Sequence, residues 1–328
     1  MILSDKEPVK RAEESLKKFN SEINVIYLKN SARTAIEAAS SLGCEVGAIV
    51  KSLLFKTDNT YSLFLVAGDK KVSLNKIKKT LNLKNVCMAT AEEVKKVALI
   101  TGGGTGIGRS AALALQNDSF HVIVCGRRYE QLEKTASLGA TDKPKIKAIA
   151  TDVTSGASVK SLFSEIENSY GRLDILFNNA GMGAPRVELD ELEETAWRQC
   201  VDVNLTGSFL CAQAAFKIMK SQSPQGGRII NNGSISAHTP RPNTIAYTAT
   251  KHAITGMTKT IALDGRAYSI ACSQLDIGNA DTAIGNRFTK GVPQANGEIM
   301  VEPVIESDEC GRAVAYMASL PLDTNVLN

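Results

Sequence analysis

The apolar run Val97-Ala98-Leu99-Ile100 leads directly into Thr101-Gly102-Gly103-Gly104-Thr105-Gly106-Ile107-Gly108-Arg109-Ser110. Four apolar residues, a glycine-dense turn and then helix-forming residues read as a strand, a tight loop and a helix start. Without side chains at Gly102, Gly106 and Gly108, the backbone can turn sharply and present helix N-terminal amides together. That is the arrangement a dinucleotide's phosphates require. The spacing alone also fits an ordinary turn, so the surrounding sequence has to decide. The loop starts near residue 100 of 328, and the first hundred residues must therefore build something else.

A chain of this length, 43% hydrophobic, has material for two cores. From Val97 onward, strand candidates at 97–101, 121–125, 146–152, 175–178, 228–232 and 270–275 alternate with helical segments. Such alternation predicts an α/β fold, a doubly wound parallel sheet with helices on both faces. Ahead of it, helix-spaced apolar residues occupy 8–19 (Ala12, Leu16, Phe19) and 31–42 (Ala35, Ala38, Ala39, Leu42), with Gly43 as a stop. Two strand-like runs, 48–55 and 61–67, flank the turn Thr57-Asp58-Asn59-Thr60, and a lysine-rich helix falls within 70–81. The pattern divides the chain into domains at 1–95 and 96–328, joined without a Pro, Gly or Ser linker.

Residues 1–96 hold 17 Lys and Arg against 11 Asp and Glu, a net of +6, whereas the remainder nets −2. The front of the chain is thus the part suited to a polyanionic partner. Seven cysteines without a CxxC pair, and only three histidines, argue against a metal site and against a disulfide framework. Cys125 and Cys211 sit in apolar stretches and read as packed thiols of a reducing compartment. No membrane-spanning or targeting run stands out, so the expected location is the cytoplasm.

Chemistry-bearing residues recur at the ends of the predicted strands. Gly126-Arg127-Arg128 follows the second strand. An acid there would bond a ribose 2′-hydroxyl, whereas two arginines attract a 2′-phosphate, which favours NADP, with NAD as the alternative. Asp152-Val153 ends the third strand, where a carboxylate can reach the adenine, and Asn178-Asn179-Ala180-Gly181 ends the fourth with small, cleft-lining residues. Tyr247 and Lys251, in Tyr247-Thr248-Ala249-Thr250-Lys251, share one face of a helix. A tyrosine with a pKa of about 10 is a poor base near neutrality, and an adjacent ammonium favours its phenolate. Such a pair can give a proton to a carbonyl oxygen or take one from an alcohol. Ser234 ends the predicted strand Ile229-Ile230-Asn231-Asn232-Gly233-Ser234, where its hydroxyl can polarise the same oxygen. Asn204, in Val203-Asn204-Leu205-Thr206-Gly207, adds a polar group within a helical stretch.

Residues 96–328 resemble the short-chain dehydrogenase/reductases, matching that family's TGxxxGxG, NNAG, Asn, Ser and YxxxK motifs in order. The resemblance implies a Rossmann domain and an NADP-dependent oxidoreductase acting on a small-molecule carbonyl or secondary alcohol. It assigns Tyr247 as acid/base and Lys251 to the nicotinamide ribose and to lowering the tyrosine pKa. Ser234 would stabilise the substrate oxygen and Asn204 would hold a water-mediated proton relay. Cofactor contacts are implied at Gly102, Thr105, Gly106, Ile107, Gly108, Arg127, Arg128, Asp152, Val153, Asn179, Ala180, Gly181, Tyr247, Lys251 and Thr282. Thr282 closes Ile277-Gly278-Asn279-Ala280-Asp281-Thr282, where isoleucine replaces the family's usual proline. The family also implies a homo-oligomer paired through 196–219 and 247–263, with Ala212, Ala214, Ala215, Met257 and Ile261 at the contact. Its members continue past Leu320-Pro321-Leu322 into a seventh strand, which Asn325-Val326-Leu327 begins without completing.

Lys51 lies in Ile49-Val50-Lys51-Ser52-Leu53-Leu54-Phe55, on the apolar register of a predicted strand with Ile49, Leu53 and Phe55. An edge-strand lysine with its head in water is the plainer account. Residues 31–94 resemble the YbaK/prolyl-tRNA-editing family. The likeness runs through Thr34-Ala35, Leu42-Gly43-Cys44, the Lys51 strand, Val66-Ala67-Gly68-Asp69, Met88-Ala89 and Glu92-Glu93-Val94. It implies a partial α+β domain in which Lys51 helps hold an aminoacyl-tRNA end. Aminoacyl-tRNA deacylation is accordingly the alternative function, and a non-catalytic fusion the third. The family's glycine- and proline-containing loop does not follow Val94.

Overall fold

The computed structural model describes residues 16–17, 22, 34–57, 60–89, 96–282, 285, 288–294 and 296–327. The helix expected over 8–19 lies almost wholly outside them, as does the junction near residue 95. The chain divides into two compact units, Met1–Thr90 and Ala91–Asn328.

In the front unit, α1 (Ala35–Leu42) opens on a reciprocal cap. Thr34 Oγ1 accepts from the Glu37 amide, and the Glu37 carboxylate accepts from the Thr34 amide. Gly43 ends the helix in the left-handed region at φ 67°. Strand β1 (Val50–Thr57) pairs antiparallel with β2 (Thr60–Ala67) and with β3 (Val86–Met88), in the order β2-β1-β3. Helix α2 (Leu74–Leu81) lies between β2 and β3 in the chain. Alternation along β1 puts Leu53 and Phe55 on the inner face, where Phe55, Ile77 and Val86 form a small core with Phe64. On the other face Val50, Leu63 and Leu65 are 61%, 61% and 69% exposed.

The rear unit is built on six strands: β4 (Val97–Thr101), β5 (His121–Gly126), β6 (Lys147–Ala150), β7 (Ile175–Asn178), β8 (Gly227–Asn232) and β9 (Ile270–Leu275). Their order is β6-β5-β4-β7-β8-β9, and every pair is parallel. The helices are α3 (Gly106–Asn117), α4 (Tyr129–Ser137), α5 (Gly156–Tyr170), α6 (Glu194–Val201), α7 (Gly207–Ser221), α8 (Ile245–Asp264) and α9 (Ser307–Ser319). Val97 and Leu99 face α5 and α7, while Ala98 and Ile100 face α3 and α9. With both faces covered, a continuous apolar strand replaces the alternating one. β6 is shorter than the expected 146–152. The Thr151 amide still reaches the Gly126 carbonyl (2.9 Å), but Asp152 turns away to accept from the amide and hydroxyl of Thr154.

The contact role expected of Ala212 and Ala215 needs correcting. Cys211, Ala212, Ala215, Ile218 and Met219 form the inward stripe of α7, so Ala212 and Ala215 are buried in this unit's own core. Their 3.6-residue period matches that of the core-facing Ile218 and Met219. Ala214 and Ile261 pack against the same core, while Phe209 and Leu263 are exposed on these helices. Burial pushes the Cys125 thiol up and that of Cys211 to about 12, in keeping with packed thiols.

Residues 320–327 lie along β9. The Gln274 amide donates to the Leu327 carbonyl (2.9 Å), and Asn325 Nδ2 donates to the Cys272 carbonyl (2.8 Å). Arg228, fully buried on β8, donates to the carbonyls of Pro321 (2.9 Å) and Thr324 (2.7 Å). The expected start of a seventh strand at 325–327 thus takes up a β9 partner. Among the described residues, no helix is long and apolar enough to cross a membrane.

Candidate active site

In the rear sheet, chain order runs outward from β4 in both directions, to β5 and β6 on one side and to β7, β8 and β9 on the other. The loops leaving β4 and β7 therefore diverge and open a crevice at the strands' carboxyl ends. Thr101 and Asn179 staple its floor. Thr101 Oγ1 accepts from the amides of Asn179 and Ala180, both at 2.9 Å. Asn179 Nδ2 donates to the Thr101 carbonyl (2.9 Å), and Asn232 Nδ2 donates to Asn179 Oδ1 (2.9 Å). Three strand ends are thereby tied together.

The glycine loop needs its glycines. Gly102 sits at φ 65°, and a Cβ there would lie 3.0 Å from Ala180 Cα. A Cβ on Gly108 would collide with the Gly102 carbonyl oxygen. The first turn of α3 thus lies against the loop, its amides directed to the crevice. Arg109 braces the loop by donating to the Gly104 carbonyl (2.5 Å) and to Thr135 Oγ1 (3.1 Å) of α4.

Two adjoining cavities share Gly102, Thr105, Arg128, Ala180 and Gly181. The smaller, about 150 Å³, is lined by Arg127, Arg128, Asp152 and Val153. Hydrogen bonds from Thr154, followed by the nearby Arg127 charge, hold the Asp152 carboxyl below its ordinary value. The larger, about 290 Å³, brings together Gly106, Ile107, Gly108, Asn179, Ser234, Tyr247, Lys251 and Thr282. One elongated cleft thus holds all of the expected contact residues except Asn204 and Lys51.

Tyr247 and Lys251 project from α8, with Lys251 Nζ 5.5 Å from the centre of the tyrosine ring. Lys251 Nζ donates to the Asn232 carbonyl at 2.6 Å, which anchors the ammonium at the end of β8. The Ser234 amide donates to Asp276 Oδ1 (2.9 Å), and Ser234 Oγ accepts from the Ser236 amide (3.1 Å). That acceptance leaves the hydroxyl proton to donate. Asn204 is buried in a π-helical turn, Asp202–Thr206, between α6 and α7. Its Oδ1 accepts from the Met182 amide (2.8 Å), and its Nδ2 reaches the Met182 carbonyl (2.9 Å) and Thr250 Oγ1 (3.2 Å). The side chain is engaged with the Met182 wall and with α8.

In the front unit, Lys51 Nζ donates to the carbonyls of Gly68 (3.1 Å) and Lys70 (2.6 Å). This is how an ammonium on the inner face of β1 is satisfied. Sequence reasoning missed Thr101, Arg109 and Asp276. Thr101 was legible as the first residue of the loop motif, whereas Asp276 acts on a partner 42 positions away.

A family model described as short chain dehydrogenase matches residues 96–292. A second, the aminoacyl-tRNA editing domain, matches residues 29–123. The two overlap across 96–123, where the structure has β4, α3 and the start of β5. A 3beta-hydroxysteroid dehydrogenase of Mediterraneibacter gnavus is 32% identical over 208 residues, 63% of this chain and 74% of that protein. An alcohol dehydrogenase of Thermococcus sibiricus, solved with 5-hydroxy-NADP, superposes with a TM-score of 0.61 at 26% identity, covering 71% of this chain and 94% of that one. A 3-ketoacyl-(acyl-carrier-protein) reductase of Brucella melitensis, solved with NADH, superposes with a TM-score of 0.61 at 25% identity, covering 71% and 95%. With its parallel sheet, glycine loop and gathered Ser234, Tyr247 and Lys251, the chain belongs to the short-chain dehydrogenase family.

Proposed function

We propose that the rear unit is an NADP-dependent oxidoreductase that interconverts a carbonyl and a secondary alcohol. The observation that carries this reading is the meeting of Ser234, Tyr247 and Lys251 in one cleft with the glycine loop. The cleft fits the cofactor on its own chemistry, with close-packed glycines at the α3 N-terminus for a pyrophosphate and two arginines at the end of β5 for a 2′-phosphate. When bound, NADP supplies or accepts the hydride. In the reducing direction, Ser234 Oγ donates to the substrate oxygen and stabilises the charge that develops there. The Tyr247 hydroxyl gives its proton to that oxygen, completing the alcohol. Lys251 keeps a positive charge beside the phenol and is oriented by the Asn232 carbonyl. Gly102, Thr105, Gly106, Ile107, Gly108, Asn179, Ala180, Gly181 and Thr282 shape the cofactor's bed, and Arg127, Arg128, Asp152 and Val153 its adenine end.

Titration with NADPH and NADH, followed by nicotinamide fluorescence, tests this reading. Saturable binding with NADPH the tighter is expected, and absence of binding to either overturns it. The domains are read as 1–95 and 96–328, the assembly as a homo-oligomer, which light scattering checks, and the compartment as the cytoplasm, in view of seven free thiols. A second reading, deacylation of aminoacyl-tRNA by the front unit, is supported by the editing-domain match over 29–123 and by the +6 balance of residues 1–96. Release of amino acid from charged tRNA tests it.

A further inference from the structure

Beyond the short hairpin of β10 (Val292–Pro293) and β11 (Ile299–Met300), the carboxylate of Glu302 gathers side chains from three separate segments. Oε1 accepts from Arg241 Nη1 (2.6 Å) and Gln294 Nε2 (2.7 Å). Oε2 accepts from Arg241 Nη2 and Asn279 Nδ2, both at 2.5 Å. The Glu302 amide also donates to the Phe288 carbonyl (3.0 Å). Arg241 and Glu302 are only 18% and 19% exposed, so this is a sheltered two-pronged pair and not a solvated surface contact. Arg241 first, and then the Gln294 and Asn279 amides, hold the Glu302 carboxyl at about 2 despite its partial burial. It therefore stays ionised down to strongly acidic pH.

What is gathered is a wall of the cleft. Arg241, Asn279 and Phe288 line the larger cavity together with Ser234 and Tyr247, whereas Glu302 stands behind them. The Arg241 guanidinium lies 5.0 Å from the centre of the Phe288 ring. The Arg241 carbonyl accepts from Thr244 Oγ1 (2.7 Å), the residue that immediately precedes α8 and lies three positions ahead of Tyr247. Both the aromatic wall and the start of the tyrosine helix are thus connected to one carboxylate.

We propose that Glu302 is a positioning residue that fixes the Arg241–Phe288 wall and cancels the charge Arg241 would otherwise present to the substrate. The proposal rests on the oxidoreductase reading. Glu302→Gln keeps the shape but loses the charge. The probes are ethyl 3-oxobutanoate, which is uncharged, its carboxylate 3-oxobutanoate, and cyclohexanone, each reduced with NADPH. For the uncharged ketones, KM is expected to rise about tenfold in Glu302→Gln, the size of one charge-assisted bond. Dissociation of NADPH should change less than about twofold, because Glu302 lies outside the cleft lining. The ratio of KM for the carboxylate to KM for its ester should fall, since Arg241 is no longer neutralised. Glu302→Asp should recover part of the loss.

Hydrogen exchange over 288–302 in the NADPH-loaded protein is expected to rise in Glu302→Gln. Unchanged exchange together with an unchanged carboxylate-to-ester ratio overturns the proposal. A wild type that reduces no ketone overturns the oxidoreductase reading. In that case raised exchange still supports the clamp on the wall, and unchanged exchange overturns it.

Discussion

The two units of this chain solve the problem of a sheet's two faces differently. In the rear unit, helices cover both sides, and residues of β4 pack alternately into two separate cores. In the front unit, one face of β1 and β2 meets α2 around Phe55, Ile77 and Val86, while Val50, Leu63 and Leu65 on the other face remain exposed. A covered sheet fixes its strand ends, and fixed strand ends can hold reacting groups to within tenths of an ångström. The unit with two cores is also the one whose cleft brings Ser234, Tyr247 and Lys251 together.

Core truncation should break this contrast most visibly. Leu176→Ala removes a fully buried side chain from the centre of the rear sheet and should cost about 2–5 kcal/mol, read as a lowered calorimetric midpoint. A cost below about 1 kcal/mol would show a far looser rear core than the packing implies. Next in size is Tyr247→Phe, which spares the ring's packing. NADPH binding should persist while turnover falls by at least about 10²-fold, and full activity in this variant would refute the proton-transfer role.

A smaller effect is expected from Arg127→Ala. It should weaken NADPH by about tenfold and NADH hardly at all in equilibrium titrations. Equal losses for both cofactors would remove the 2′-phosphate from the argument. The smallest belongs to the open face of the front unit. Leu65→Ala should change the midpoint by no more than about 0.5 kcal/mol equivalent and leave ketone reduction untouched. A large loss would show that Leu65 packs in solution, and the contrast between the units would then shrink.

The parallel sheet was legible in the sequence because each of its signals is local: an apolar run, a glycine turn, a Tyr and Lys on one helix face. The residues at the strand ends were legible for the same reason, since the period of the pattern places them there. Asp276 was not, because its carboxylate serves the backbone of Ser234 from the far side of α8 and β9 in sequence. Glu302 and Arg241 are 61 positions apart and meet only through tertiary folding. The facing of Ala212 and Ala215 escaped for another reason. Alanine suits a core and a close helix contact equally well, so composition does not say which side of α7 turns inward.

Arg228 gives the segment 320–325 a role beyond extending the chain from α9. A guanidinium on β8 is wholly enclosed with no ion-pair partner among the described residues, its Nε is unpartnered, and burial pushes its pKa down. Its remaining nitrogens face the carbonyls of Leu320, Pro321 and Thr324 and the oxygens of Ser273 and Asn325. Those oxygens take the place that water would hold around a free cation. Residues 320–325 thus act as a solvation shell written into the polypeptide, and the ion they surround ties that segment to β8 and, through Ser273, to β9.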